Sequence, residues 1–531
     1  MLLAAALALT ACAGGADPAA RPGTEAAPTP TGATAPAPSP TPPPSEADPN
    51  APLGTAPTTV PAVRSFTPAR GPGWKPGPTG RVLVAPADAP ALADEARLLA
   101  GELGLTAAED AAAPRPGDIR LTRTRAAGPA ESYTLTVRGG VATVTGPDEA
   151  GVFYGTRTIK QAVRAAGGLG EGTTTDRPDR PQRGLNLDIA RKNFDAGWIE
   201  DRVRTLADLK LNQLGLHFSD DQAFRIASDT HPEIVSTPHL TKAEVRRIVA
   251  LARSLHVTVV PEIDSPGHLG AVLRAHPELQ LRDTAGKAVK GAIDISRPGA
   301  ATLVDELLRE YLPLFPDAPW HLGADEYQAL TRRDPGASFP ALLAAARARY
   351  GPAAGVRDLA TGWLADRAAV VRSAGRVPKA WNDGFFAGGV VKAPADIEVE
   401  YWTGKELGAR PPTAYLDEGR PVVNLNDEYL YYVLGQPNEF VYPTGRRIYE
   451  EWTPLVLRGR TAVPAAHSDR ILGARLAVWC DLAGAQTPAQ VAAGIRRPLA
   501  ALAQKVWDPR PPASSWSRFA TLVDKVAPPA G

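Results

Sequence analysis

From about Arg180 to the carboxyl end, the chain repeats one pattern: a short apolar run, then a longer stretch whose apolar residues recur with helical period. The runs are "GLNLDI", "QLGLHF", "VTVVPEI", "PWHLGA", "PKAWN", "IEVEYW", "PVVNLN" and "ARLAVW", with helical stretches such as "WIEDRVRTLADLKL", "TKAEVRRIVALARSL" and "AATLVDELLREYL" among them. Runs buried on both faces and joined through helices build a parallel sheet, and eight of them close it into a (β/α)8 barrel. The fold class is therefore α/β, with the barrel assigned to residues 180–531.

A 531-residue chain exceeds what one core supports, so a second unit is expected upstream. Residues 78–178 read as a small α+β domain. "RVLVAPA" and "GDIRLTRT" read as strands, "SYTLTVRGGVATVTG" as a hairpin about Gly139 and Gly140, and "ALADEARLLAGELGL" and "AGVFYGTRTIKQAV" as helices. Residues 13–77 are dominated by Pro, Ala, Thr, Gly and Ser; the stretch has too little apolar surface to offset chain entropy and is expected to be an extended tether.

The first 12 residues, "MLLAAALALTAC", are apolar over about half the length a membrane-spanning helix needs, which reads as a secretory leader. Leu9 to Cys12 resemble a bacterial lipobox, so Cys12 is the expected site of lipidation and the chain is expected at the cell surface, anchored by lipid. Beyond that anchor no membrane contact is expected. The 58 basic and 57 acidic residues are interspersed and leave a formal charge of +1, which excludes the basic footprint of a nucleic-acid binder. The two cysteines build no disulfide scaffold, and no Cys/His run has metal-site spacing, so no cofactor and no metal is expected.

In a (β/α)8 barrel the reacting groups come from the carboxyl ends of the strands. Those positions hold Asp188; Ser219, Asp220 and Asp221; Glu262, Asp264 and His268; Asp325 and Glu326; Trp381 and Asp383; Tyr401 and Trp402; Asn424, Asn426 and a tyrosine cluster; Trp479 and Asp481. One aspartate after a strand is ordinarily a cap or turn residue. Carboxylates, indoles and phenols together at strand after strand are not. Indole faces stack on sugar rings, carboxylates accept from hydroxyls, and a carboxyl of raised pKa can protonate a glycosidic oxygen, so the inventory suits glycoside cleavage. Consecutive side chains of a strand point to opposite faces, so Asp325 and Glu326 are expected to serve different parts of one substrate.

"RGLNLDIARKNF", "LGLHFSDDQAFRI", "VVPEIDSPGHLGAVLRAHPEL", "WHLGADE" and "LAVW" resemble, in order, the strand-end motifs of family 20 glycoside hydrolases, the β-N-acetylhexosaminidases. "LHFSDDQ", "WNDG" and "LYYV" are most similar to the branch of dispersin-like poly-N-acetylglucosamine hydrolases and lacto-N-biosidases. The resemblance implies substrate-assisted catalysis on an N-acetylhexosamine-containing glycan. It makes Glu326 the general acid and base, and Asp325 the group that orients the acetamido N–H. A tyrosine holds the acetamido oxygen; Tyr431 fits the Leu-Tyr-Tyr-Val register better than Tyr429. Asp220 and His268 form the relay behind the acid, Trp381, Trp402 and Trp479 wall the pocket, and Arg183 pairs with the sugar's outer hydroxyls. Two departures stand out. Ala324 occupies a position where relatives have Gly, acceptable if its φ is negative, and Asp481 replaces the usual Glu. A disaccharide-releasing enzyme, a hydrolase of β-1,6-linked poly-N-acetylglucosamine and an inactive carbohydrate-binding lipoprotein are the alternatives to a terminal hexosaminidase.

Overall fold

A computed structural model describes residues 49–110, 112–405 and 409–526. The leader, the lipobox with Cys12 and the first part of the proposed tether lie outside the described residues. The rest of that tether is folded, contrary to its composition. Val60 and Trp74 are buried, the Val60 amide donates to Gln161, and Ser65–Pro68 pairs antiparallel with Gly172–Asp176. Backbone pairing and two anchors secure a stretch with few large apolar residues, so the folded chain begins well before residue 78.

The amino-terminal sheet has seven strands in the order 65–68, 172–176, 133–138, 141–146, 119–123, 81–84 and 106–109. The hairpin turns where the sequence places it, with Gly139 and Gly140 both at positive φ. Helix Glu149–Ala166, capped by Asp148, is buried nearly all round. Its charged residues are therefore paired: Lys160 reaches Glu102 and the barrel-helix residue Asp208, each at 2.6 Å.

All eight expected barrel strands form, at Gln182–Asp188, Gln213–His217, Thr258–Glu262, Trp320–His321, Pro378–Trp381, Glu398–Tyr401, Val422–Asn424 and Ile471–Trp479. Each is parallel to its neighbour, and the eighth pairs with the first from Gly473↔Gln182 to Val478↔Leu187, which closes the barrel. The seventh place is split. Val422–Asn424 pairs with the lower part of the eighth strand, and Tyr431–Val433 pairs with its upper part. That break carries Tyr431 to the carboxyl rim.

The barrel interior is charged. Glu400, Lys379 and Arg475 are buried, and Glu400 pairs with both bases, at 3.2 Å to Lys379. Toward the rim follow His321, 3.2 Å from Glu262, and His217, 3.1 Å from the same carboxylate and 2.9 Å from Asp220. Burying these charges is tolerable only because each has a partner. The column fixes the side chains on which the rim rests.

Arg183 does not reach the rim. It lies at the amino end of the first strand, fully buried, with Nη1 2.7 Å from Glu131 of the amino-terminal domain. It also donates to Tyr154 Oη and to the Arg180 and Lys210 carbonyls. The expected contact with a sugar is excluded, and Arg183 instead fastens the two sheets' domains together. Lys210 does the same from the next loop, donating to Tyr133 and Thr158 beside Asp176.

Candidate active site

The fourth barrel strand ends at His321, five residues before Glu326, so strand alternation does not govern the acidic pair. Gly323, Ala324 and Glu326 all have positive φ, at 69°, 79° and 45°. Gly323 is required: a Cβ there would lie 1.7 Å from Asp264 Oδ1, the atom that accepts from the Ala324 amide at 2.9 Å. Ala324 adopts the left-handed conformation that the sequence reading required it to avoid. The coil turns both carboxylates toward one imidazole, with His268 Nε2 3.4 Å from Glu326 Oε2 and 3.7 Å from Asp325 Oδ2.

His268, itself at φ 54°, receives Asp220 at its other nitrogen, Nδ1 to Oδ1 at 3.3 Å. Burial alone would favour a neutral ring, but Asp220, Asp325 and Asp264 together push its pKa well above the usual value. For Asp220 burial also opposes ionisation, and His268, His217 and Arg191 overcome it, holding the carboxyl far below the ordinary range. Burial, and next the charge of Asp325, push the Asp264 carboxyl well up, and burial raises Asp325 as well. Asp325 Oδ1 is buried and has no hydrogen-bond partner among the described residues. The hydrogen bond from His268 is the largest influence on Glu326 and lowers its pKa, so in the free site Glu326 is ionised near neutrality.

The pocket wall is aromatic. Tyr431 stacks on Trp402 with centroids 5.7 Å apart and on Phe440 at 6.2 Å, and Trp479 tilts against it at 6.0 Å. Trp381 does not line the cavity as expected: it is buried, packed against Trp479 at 5.8 Å, with its indole N–H donating to Glu262 at 2.7 Å. Asp383 accepts from the Trp402 indole at 3.0 Å and from the Glu326 amide at 2.9 Å, joining wall and acid. Tyr429 turns the other way, toward Glu451 and Arg447. Tyr431 is thus the strand-seven phenol in the cavity.

Two adjoining cavities of about 320 and 350 Å³ share Arg191, His268, Glu326 and Asp481. The first continues to Asp325, Trp402, Tyr431 and Trp479; the second to Asp220, Asp221, Gln222 and Lys290. Arg191 was missed in the sequence. Asp188 orients it, accepting from its amide at 2.9 Å and its guanidinium at 3.0 Å, while Nη2 reaches Asp220 at 2.7 Å. The signal was present, because Arg191 follows the carboxyl end of the first strand and Arg183 stands near its start.

Fold and site together define the class of (β/α)8 barrels that gather carboxylates and indoles at the carboxyl rim. Residues 181–510 match the catalytic domain of glycosyl hydrolase family 20, and residues 56–201 match domain 2 of that family. The chain belongs to glycosyl hydrolase family 20. It is 29% identical over 484 residues to a lacto-N-biosidase of Bifidobacterium bifidum, covering 90% of this chain and 42% of that protein. A beta-N-acetylhexosaminidase of Cellulomonas fimi is 24% identical over 457 residues, covering 78% and 82%. This chain spans less than half the length of several of its curated relatives, 42% of the lacto-N-biosidase and 45% of a beta-hexosaminidase of Akkermansia muciniphila. The fold is shared with the GH20 beta-N-acetylhexosaminidase from Streptomyces coelicolor A3(2), at TM-score 0.69 and 23% identity over 90% of this chain and 96% of that one.

Proposed function

We propose that the chain is a retaining glycosidase that removes terminal β-linked N-acetylhexosamine, with the substrate's own acetamido group as nucleophile. The observation that carries this is the placement of Asp325 and Glu326 within 3.7 Å of one imidazole nitrogen. A retaining enzyme with a protein nucleophile needs two carboxyls on opposite faces of the sugar, about 5 Å apart. Here the two carboxylates are neighbours that converge on one imidazole, which fits the substrate-assisted exception that family 20 makes to that scheme. The attacking atom then comes from the substrate, and Asp325 Oδ1, buried with its acceptor capacity unused, suits the acetamido N–H.

In the first step the acetamido oxygen bonds to C1 while the C1–oxygen bond to the leaving group breaks, and Glu326 gives its proton to the departing oxygen. Displacement of water by the sugar raises the Glu326 pKa from its lowered free-site state, so that the carboxylate takes up a proton from solvent as substrate binds and holds it for the leaving group. Asp325 offsets the positive charge on the oxazolinium ion, and Tyr431 holds the acetamido oxygen in line. In the second step Glu326, now ionised, takes a proton from water as its oxygen bonds to C1 and the ring opens, giving retention. The aromatic wall covers the acetamido methyl and the sugar face.

A disaccharide-releasing reaction is the second reading. The cavity beyond Arg191 and Asp481 favours it, offering Asp221, Gln222 and Lys290 to a further sugar, and the B. bifidum relative is named for that activity. Hydrolysis of p-nitrophenyl β-N-acetylglucosaminide and p-nitrophenyl β-lacto-N-bioside separates the two: fast release from the monosaccharide supports the first reading, and release only from the disaccharide supports the second. Activity that persists in Glu326→Gln would count against both. We further propose that Cys12 carries a lipid anchor at the cell surface; retention of the Cys12→Ser chain in the membrane fraction would contradict it.

A further inference from the structure

The sequence contains one tripeptide twice, His-Pro-Glu, at His231 to Glu233 and at His276 to Glu278. Each copy opens a 3-10 turn, and the two histidines share one backbone conformation, φ −134° ψ 60° and φ −121° ψ 60°. The fold brings them together, with ring centroids 5.9 Å apart. Glu233 Oε1 lies between them, 3.0 Å from His231 Nδ1 and 3.0 Å from His276 Nε2. The remaining ring nitrogens each meet a different carboxylate: His231 Nε2 is 3.1 Å from Glu306, and His276 Nδ1 is 3.3 Å from Glu278.

We propose that His231, Glu233 and His276 form a site for a zinc ion, outside the catalytic cleft. One donor atom from each lies within 4.8 Å of the others, and tetrahedral bonds of about 2.0 to 2.1 Å place donors roughly 3.3 Å apart, so small side-chain shifts suffice. Imidazole with carboxylate is a donor set that suits zinc, and three protein ligands leave the fourth position to water. The stronger argument is the outer layer. A histidine bound to a metal through one nitrogen almost always donates its other N–H to a carboxylate, a backbone carbonyl or water, which fixes the tautomer, and a carboxylate partner also raises the ligand's basicity. Here both histidines have that partner. Two imidazoles amid Glu233, Glu278 and Glu306 also carry a negative excess that a divalent cation neutralises.

Sequence spacing hides this site because its histidines stand 45 positions apart and contain no Cys/His run, which is why no metal was expected. The ion would fasten the loop that leaves Asp220 to the turn after helix Gly270–Ala275. Arg274 of that helix already holds the Asp221 and Gln222 carbonyls, so the metal would brace the rim of the second cavity.

The test is calorimetric titration of the chelator-treated full chain with zinc chloride, with metal analysis of the product. One equivalent is expected, with a higher melting temperature in zinc. His231→Asn and His276→Asn should each weaken binding at least tenfold, and Glu278→Gln with Glu306→Gln, which keeps all three ligands, about ten- to a hundredfold. The second group able to share a cation, Asp264, His268 and Asp325, lies in the cleft. Zinc binding that survives both histidine variants, or is lost only in His268→Asn, would overturn the proposal, as would no uptake by the wild type. If a histidine variant does not fold, the double glutamine variant and X-ray absorption of the wild-type zinc form decide, and absence of imidazole ligands refutes the site.

Discussion

Replacing Glu131 by Gln should destabilise the protein without touching catalysis. Glu131 accepts from Arg183 Nη1 at 2.7 Å and Nη2 at 3.2 Å, from Tyr154 Oη at 3.2 Å and from Asn212 at 3.0 Å. Arg183 is fully buried, so the amide leaves a guanidinium with no counter-charge, retaining only its carbonyl and phenol partners. Removing one partner of a buried ion pair costs about 3 to 5 kcal/mol. Glu131 itself is 18% exposed, so some water reaches the pair and the lower figure of about 3 kcal/mol applies. The melting temperature should then fall by on the order of 5 °C, read by scanning calorimetry, with kcat and KM unchanged. Burial opposes ionisation of Glu131, but Arg183 prevails and its pKa is lowered in the fold. The carboxylate's contribution is therefore present above the unfolded pKa and lost as pH falls through the folded one, so the gap from wild type should narrow below the ordinary glutamate range. In Arg183→Met with Glu131→Leu, which removes both charges, much of the loss should return. A raised KM at unchanged melting temperature would refute the reasoning and return Arg183 to the sugar.

Other consequences are more local. In His268→Asn the hydrogen bond that most lowers Glu326 is gone, so the alkaline limb of kcat/KM should move to higher pH while the maximum rate falls; an unmoved limb would contradict the pairing. Ala324→Gly relieves a left-handed Ala and should raise stability by up to about 1 kcal/mol in a denaturant titration, since the strain of about 1 to 2 kcal/mol is partly offset by the greater freedom of unfolded Gly. Arg191→Lys keeps the charge but not the planar fork that meets Asp188 and Asp220, and kcat/KM should drop about tenfold or more, a loss that equal activity would disprove.

The barrel was legible because its strands are buried on both faces and read as continuous apolar runs, such as Gln213–His217, buried at every residue. The acid pair, His268 and Asp220 were legible because strand ends are where such barrels keep their chemistry. Three things were not. Arg183 and Arg191 lie in one motif, one near the start of the first strand and the other in the turn past its end; the strand between Arg183 and Asp188, at about 3.3 Å per residue, separates base from rim by roughly 17 Å. Asp325 and Glu326 share one imidazole because positive φ at Gly323, Ala324 and Glu326 replaces strand geometry, a backbone state that an Ala-Asp-Glu sequence does not announce. The stretch around Val60 and Trp74 reads as tether by composition, yet it is fixed by long-range pairing to Gln161 and to the strand at Gly172–Asp176.

The central claim is that the substrate's acetamido oxygen attacks C1 while Asp325 and Glu326 serve it from one side. Its most direct measurement is kcat/KM for p-nitrophenyl β-glucosaminides bearing N-acetyl, N-fluoroacetyl, N-difluoroacetyl and N-trifluoroacetyl groups, or for the matching disaccharide series if only those are cleaved. Each fluorine weakens the carbonyl oxygen as a nucleophile without enlarging the group greatly. A steep, monotonic fall in rate across the series is expected; a rate indifferent to fluorination would place the nucleophile on the protein and contradict the account.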